Sequence, residues 1–168
     1  MIKKALKKLL NKMIDCTPAW IGVFEIKVYN ISKGTCKRKI IFNRIMNTGL
    51  DQLSETLLGN ATDLQIKYLA VGTDNTPVTD TDAQLGVEIF RTPPQSGPLK
   101  LGTGTIETEF ILLDTEAVGS IREVGIFVGS TATSTVNTGT LLTRILWNYE
   151  KTNSEEIIIK RIDRIVRS

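Results

Sequence analysis

SIREVGIFVGSTATSTVNTGTLLTRILWNYEKTNSEEIIIKRIDRIV, residues 120–166, decides the fold class. It holds three apolar runs, SIREVGIFVGS, TLLTRILWNYE and EEIIIKRIDRIV, rich in Ile, Val and Thr. These side chains suit a pleated, half-buried surface. Between the first two runs lies GSTATSTVNTG, where Thr, Ser and Asn capture their own backbone and Gly permits unusual dihedrals. Runs of this length separated by turn chemistry predict antiparallel strands.

The same rhythm extends upstream. LQIKYLAVG (64–72), LGVEIFRT (85–92) and LKLGTGTIETEFILLD (99–114) read as strands, with TDNTPVTDTDAQ (73–84) and TPPQSGP (92–98) as loops. VFEIKVYNIS (23–32) and TCKRKIIFN (35–43) flank Lys33-Gly34 as a hairpin. The expected fold is mainly β: an antiparallel β-sandwich or barrel-like domain, with an N-terminal amphipathic helix and one internal helix. Trp147 is expected to point inward. Gly72, Gly86 and Gly125 mark strand ends or places where another backbone comes close.

The internal helix is expected over Asn47–Gly59. Thr48 is its expected N-cap, with Asp51 three residues on, and Gly59 its stop. Leu50, Leu53 and Leu57, with Leu58 beside them, form an apolar side, and the first three are core candidates.

Residues 1–14 place Ile2, Leu6, Leu9 and Met13 on one helical stripe, with lysines at 3, 4, 7, 8 and 12 opposite. A helix this short is marginal alone and orders when its stripe packs on something. Two uses are open: packing on its own domain, or docking on a partner through Ile2, Lys3, Lys4, Leu6, Lys7, Lys8, Leu9 and Met13. Pro18 opposes its continuation. The expected organisation is a docking helix over 1–15, a β-hairpin extension over 16–45 and a β-sandwich domain over 46–168.

Composition narrows the function. Histidine is absent, which removes the usual general base near neutral pH and the commonest metal ligand. Cys16 and Cys36 are too few for a thiolate zinc site, and are expected to be buried or half-buried thiols. Asp74, Asp80 and Asp82 share one loop but lack the glycine and terminal glutamate of a calcium loop, so Asx-turns explain them better. Glu107 and Glu109 share a strand face opposite Ile106, Thr108 and Phe110, which places them outside. The phosphate-binding pattern GxxxxGK[ST] is missing. The expectation is a non-enzymatic chain without cofactor, catalytic residue or metal. Lysines interrupt the first apolar positions, and nothing approaches the ~18 apolar residues of a membrane span, so neither an export signal nor a membrane partner is expected.

Charge is polarised. Residues 1–45 hold eleven basic against two acidic side chains, a net of +9, whereas 46–149 hold five against twelve, a net of −7. Such an arrangement steers association with a complementary surface. The acidic body of a neighbouring copy or partner is the favoured candidate, nucleic acid the less favoured. Lys37, Arg38, Lys39 and Arg44 form a second basic cluster that reads as a solvated strand face. Only Phe42 is near enough to stack on a base.

The segments NTGLDQLSETLLG (47–59), YLAVGTDNTPVTDTDAQLGVEIFR (68–91), SIREVGIFV (120–128) and LLTRILWNYEKTNSEEIIIKRI (141–162) together resemble a group of phage and prophage virion proteins. These are associated with tail fibres, the baseplate or other appendages. Their pattern is a short helix, an "ALGTG…T..T.LG.E..R" segment, a "REvGlF" strand and a final strand opening after lysine, threonine and small polar residues. The likeness covers roughly residues 46–165. It implies a β-sandwich-like domain that assembles in a virion and has no catalytic residues to carry over.

The expected function is therefore that of a virion structural protein of the tail, baseplate or fibre-attachment region. Its expected partners are other virion proteins, copies of itself and a host surface receptor. Two rival readings are a capsid decoration or head-to-tail connector subunit, and a receptor- or carbohydrate-binding module using the Thr-rich loops. The strand at 155–166 is expected to offer an exposed edge to a neighbour's sheet. Arg122, next to Glu123, is expected to form an ion pair with a loop or a neighbour, which on an exposed surface contributes little.

Overall fold

Each apolar run becomes a strand. The computed structural model describes residues 19–60 and 63–166. In chain order these form β1 (Ala19–Asn30), β2 (Thr35–Asn43), α1 (Asn47–Leu57), β3 (Ile66–Gly72), β4 (Glu88–Thr92), β5 (Leu99–Gly102), β6 (Thr105–Leu112), β7 (Gly119–Val128), β8 (Thr140–Lys151) and β9 (Glu155–Val166). The docking-helix residues Ile2, Lys3, Lys4, Leu6, Lys7, Lys8, Leu9 and Met13, and Cys16, lie outside the described residues.

Two antiparallel sheets form a sandwich-like pair, one ordered β2-β1-β9-β6-β5 and the other β4-β3-β7-β8. Alternation decides what lies between them. Phe24, Ile26 and Val28 of β1, Phe110 and Leu112 of β6, and Ile157 and Ile159 of β9 point inward against Leu69, Val71, Val124, Ile126 and Trp147 of the other sheet. Each such burial stabilises the fold by about 1.5–3 kcal/mol. The hairpin turn falls at Gly34, whose φ of +60° is a left-handed value that glycine adopts without a Cβ penalty. β1 lies between β2 and β9, so the five-stranded sheet runs across the boundary drawn at residue 45.

The four-stranded sheet is covered on its other face too. Met46, Ala70, Leu85, Phe127 and Leu141 form a second small core beneath loop 73–87 and the start of α1. This explains why β7 and β8 read as near-continuous apolar runs, because side chains on both faces are buried.

Several expectations need correction. β9 is the middle strand of its sheet, paired with β1 on one side and β6 on the other, so residues 155–166 present no free edge. The outermost strands are β2, β5, β4 and β8.

α1 also faces differently from its leucine pattern. Leu50 is 45% exposed and Leu57 80% exposed, while Gly49 is buried against Leu142. The Met46 amide donates to Leu142 O at 2.9 Å and its side chain is buried, which fixes the entry angle. At about 100° per residue, Gly49, Gln52, Leu53 and Thr56 then face the sheet, and Leu50 and Leu57 sit a quarter-turn away. Thr48 does not cap: Met46 holds the N-cap position, and the Thr48 hydroxyl donates to Leu141 O at 2.6 Å. Gly59, with φ +79°, does close the helix as expected. Cys36 is exposed on β2, not buried.

Candidate functional site

Buried charge organises the outer face of the four-stranded sheet. Arg144 of β8 is buried, and its Nε donates to Glu123 Oε2 of β7 at 2.7 Å. Its Nη1 reaches Asp82 at 2.9 Å and its Nη2 reaches Asp74 at 2.9 Å. Glu123 is fully buried and also accepts the amides of Val87 at 2.9 Å, Gly86 at 3.1 Å and Asp74 at 3.3 Å. A contact with a loop was the expectation here, but on an exposed surface; Glu123 is instead a buried acceptor that anchors both ends of loop 73–87. Arg122 turns outward to Glu150.

The three aspartates thus meet guanidinium groups: Asp74 and Asp82 bind Arg144, and Asp80 pairs with Arg44 at 3.3 Å on the surface. Burial raises the Asp82 carboxyl, but hydrogen bonds from Thr79 and Arg144 outweigh it and hold it below its ordinary value. The Thr76 hydroxyl, with Arg144 beside it, lowers Asp74. Gly72 and Gly86 complete the arrangement. A Cβ at Gly86 would overlap the Asp74 carboxylate, and one at Gly72 would strike Glu123 and Val87 O.

A second buried pair fixes loop 129–139. Arg91 of β4 binds Glu88 at 2.5 Å, and its Nη1 donates to the carbonyls of Thr133 at 2.8 Å and Thr138 at 3.1 Å. Its guanidinium lies 4.6 Å from the Phe127 ring centroid. A third pair sits inside the five-stranded sheet. Arg161 binds Asp163 and Asn43, each at 2.5 Å for its closest contact, and lies over Phe24. Trp20 Nε1 donates to the same Asp163 at 2.8 Å. These charges are committed to holding loops and strand ends in place.

The remaining predicted positions fall as follows. Trp147 is buried, as expected, and stacks on Tyr149 at 4.9 Å. Burial, then the hydrogen bond to Glu155, pushes the Tyr149 phenol up to about 12, so it donates at neutral pH. Glu107 and Glu109 face away from the core and share Lys160, at 2.8 and 3.2 Å. Lys37, Arg38 and Lys39 lie exposed on the edge strand β2, and Arg38 binds Glu25 at 2.6 Å.

The surface also exposes large apolar side chains. Leu57, Phe42 and Leu58 are 80%, 72% and 70% exposed, and Ile40, Leu50, Leu99, Leu101 and Ile165 are also uncovered. They lie on α1, on the edge strands β2 and β5, and near the end of β9. Sequence periodicity flagged Leu50 and Leu57 but assigned them to the core. The overlooked signal was a charge set into an apolar run, Glu123 before VGIFV and Arg144 in LLTRILW, which marks a buried pair. Among the described residues no helix is long and apolar enough to cross a membrane. No family model, no curated protein and no solved structure matches the chain.

Proposed function

We propose that this chain is a structural subunit of a phage-like particle, in its tail, baseplate or fibre-attachment region, and that it works by adhering to other subunits and to copies of itself. The observation that carries the reading is the exposed apolar set on α1 and the edge strands. Contiguous exposed apolar patches mark contact surfaces, and here Ile40 and Phe42 share the outer face of β2 while Leu57 and Leu58 adjoin at the end of α1. The polarised charge supports it, since a basic first quarter and an acidic body attract one another between chains. The loops support it as well: buried ion pairs hold them as fixed shapes, which suits a surface that must fit a partner repeatedly. The particle context comes from the sequence resemblance.

The test is sedimentation velocity of the full chain, alone and mixed with purified subunits of its particle. The wild type is expected to associate, and the variant Phe42→Glu/Leu57→Glu to associate at least tenfold less tightly, about 1.4 kcal/mol. Its thermal midpoint should stay unchanged, because both side chains face water. A wild type that remains an inert monomer at every concentration and in every mixture sinks the proposal.

A further inference from the structure

The margin where β2 and β8 face each other has an unusual build. In an antiparallel pair, residues directly opposite share a face. The register sets Lys37 opposite Val28 and Lys39 opposite Ile26, both core side chains, so these lysines stand on the inner face of β2. They are nevertheless exposed, because they overhang the open flank of the sandwich. A hollow of about 290 Å³ lies beneath them, lined by Ile26, Val28, Lys37, Lys39, Trp147 and Tyr149. A second, of about 440 Å³, is lined by Ile41, Phe42, Arg44, Asp80, Arg144 and Ile145.

Both strand margins are open here among the described residues. β2 is the outermost strand of its sheet. The end of β2 and the segment after it reach β8 at Leu141, Leu142 and Thr143, through Thr48, the Met46 amide, and Asn43 with the Arg44 carbonyl, and from Arg144 onward β8 has no backbone-to-backbone partner on its outer side among the described residues. Lysines pointing inward from an edge strand discourage an apolar strand from adding, because it would bury ammonium groups. The same geometry favours a strand whose inward side chains are carboxylates. Arg38 already has Glu25, whereas Lys37 and Lys39 have no carboxylate within 4 Å among the described residues. On the outer face, Ile40 and Phe42 alternate with these lysines and are exposed.

We propose that this flank docks an extended acidic segment of a partner protein, added as a strand to the free edge of β2. Its carboxylates, at every second position, meet Lys37 and Lys39. The aliphatic side chains between them cover Ile40 and Phe42. Main-chain hydrogen bonds supply affinity and the alternate side chains supply selectivity. The inference rests on the assembly reading, and names the chemistry of one partner in it.

The test uses the full chain and a labelled synthetic peptide of alternating glutamate and valine, read by fluorescence anisotropy. The controls are an isomer with all glutamates before all valines, and an alternating lysine–valine peptide. The alternating acidic peptide is expected to bind, more weakly as salt rises, and the block isomer to bind at least tenfold less tightly. Lys37→Glu/Lys39→Glu should lose the acidic peptide and gain the lysine–valine one. Lys37→Gln/Lys39→Gln, which adds no like charge, should also lose the acidic peptide. No binding, equal binding of the block isomer, or variants that bind like the wild type overturn the proposal. If the wild type still self-associates in sedimentation, that failure leaves the assembly reading intact. Self-association abolished in Lys37→Glu/Lys39→Glu would assign the flank to a second copy and overturn the partner segment.

Discussion

Replacing Arg144 with methionine keeps most of the volume of the side chain and removes the cation that Glu123, Asp74 and Asp82 share. The three acids do not respond equally. The Asp74 and Asp82 side chains are 25% and 18% exposed, so water can rehydrate them and their loss is small. The Glu123 side chain is fully buried and keeps only the amides of Asp74, Gly86 and Val87. Leaving such a carboxylate without its cation costs about 3–5 kcal/mol. At roughly 2–4 °C per kcal/mol for a chain of this length, the midpoint should fall by roughly 6–20 °C. Urea unfolding followed by tryptophan fluorescence measures the loss. Amide exchange should show Asp74, Gly86 and Val87 losing protection before the β7–β8 ladder does. The double variant Glu123→Leu/Arg144→Met should recover much of the stability, because it removes the stranded charge. The reasoning fails if Arg144→Met lies within about 1 kcal/mol of the wild type, or if the double variant is the sum of the two single ones.

Three further outcomes follow from the same geometry. Gly86→Ala should cost about 1–3 kcal/mol in chemical denaturation, since its methyl overlaps a carboxylate held by Arg144 and Thr76, while Gly97→Ala, with open space around it, should be neutral. Asp74 and Asp82 both sit below their usual value of 3.8 in the folded chain, so their contribution is complete above that pH and lost as pH falls through the folded values. Circular dichroism melts across pH 5 to 2 should show this loss in the wild type, and a smaller one in Arg144→Met. Trp20→Phe removes the donor to Asp163 and should lower stability by about 1–3 kcal/mol in urea titration, with the sheet retained by far-ultraviolet circular dichroism.

The sequence announces its strands because each run carries β-branched residues between turn-forming ones, and every run from LQIKYLAVG to EEIIIKRIDRIV holds a strand. LKLGTGTIETEFILLD divides into β5 and β6 at Gly102–Gly104, where Gly104 takes φ +66°. Strand order is not written in the pattern, since alternation shows which face is buried but not which neighbour is hydrogen-bonded. That is why β9 was expected at an edge and lies in the middle. The same limit applies to α1: its leucine stripe is real, but the tie from Met46 to Leu142 selects the Gly49 face instead. Of the candidate site, the basic residues of β2 were legible as exposed. Their division into inward lysines and an outward Arg38 needed the register with β1.

The central place of β9 has a consequence for how the molecule comes into being. Val23 pairs with Ile162, and Glu109 with Lys160, so the five-stranded sheet joins residues far apart along the chain. A ribosome makes β1 and β6 well before it reaches residue 155, and until then each lacks the strand that divides them. Closing such distant pairings is slow, and the waiting strands are adhesive meanwhile. Synthesis at high level should therefore yield insoluble material more readily than the stability of the finished protein would suggest, and slower translation or cooler growth should relieve it.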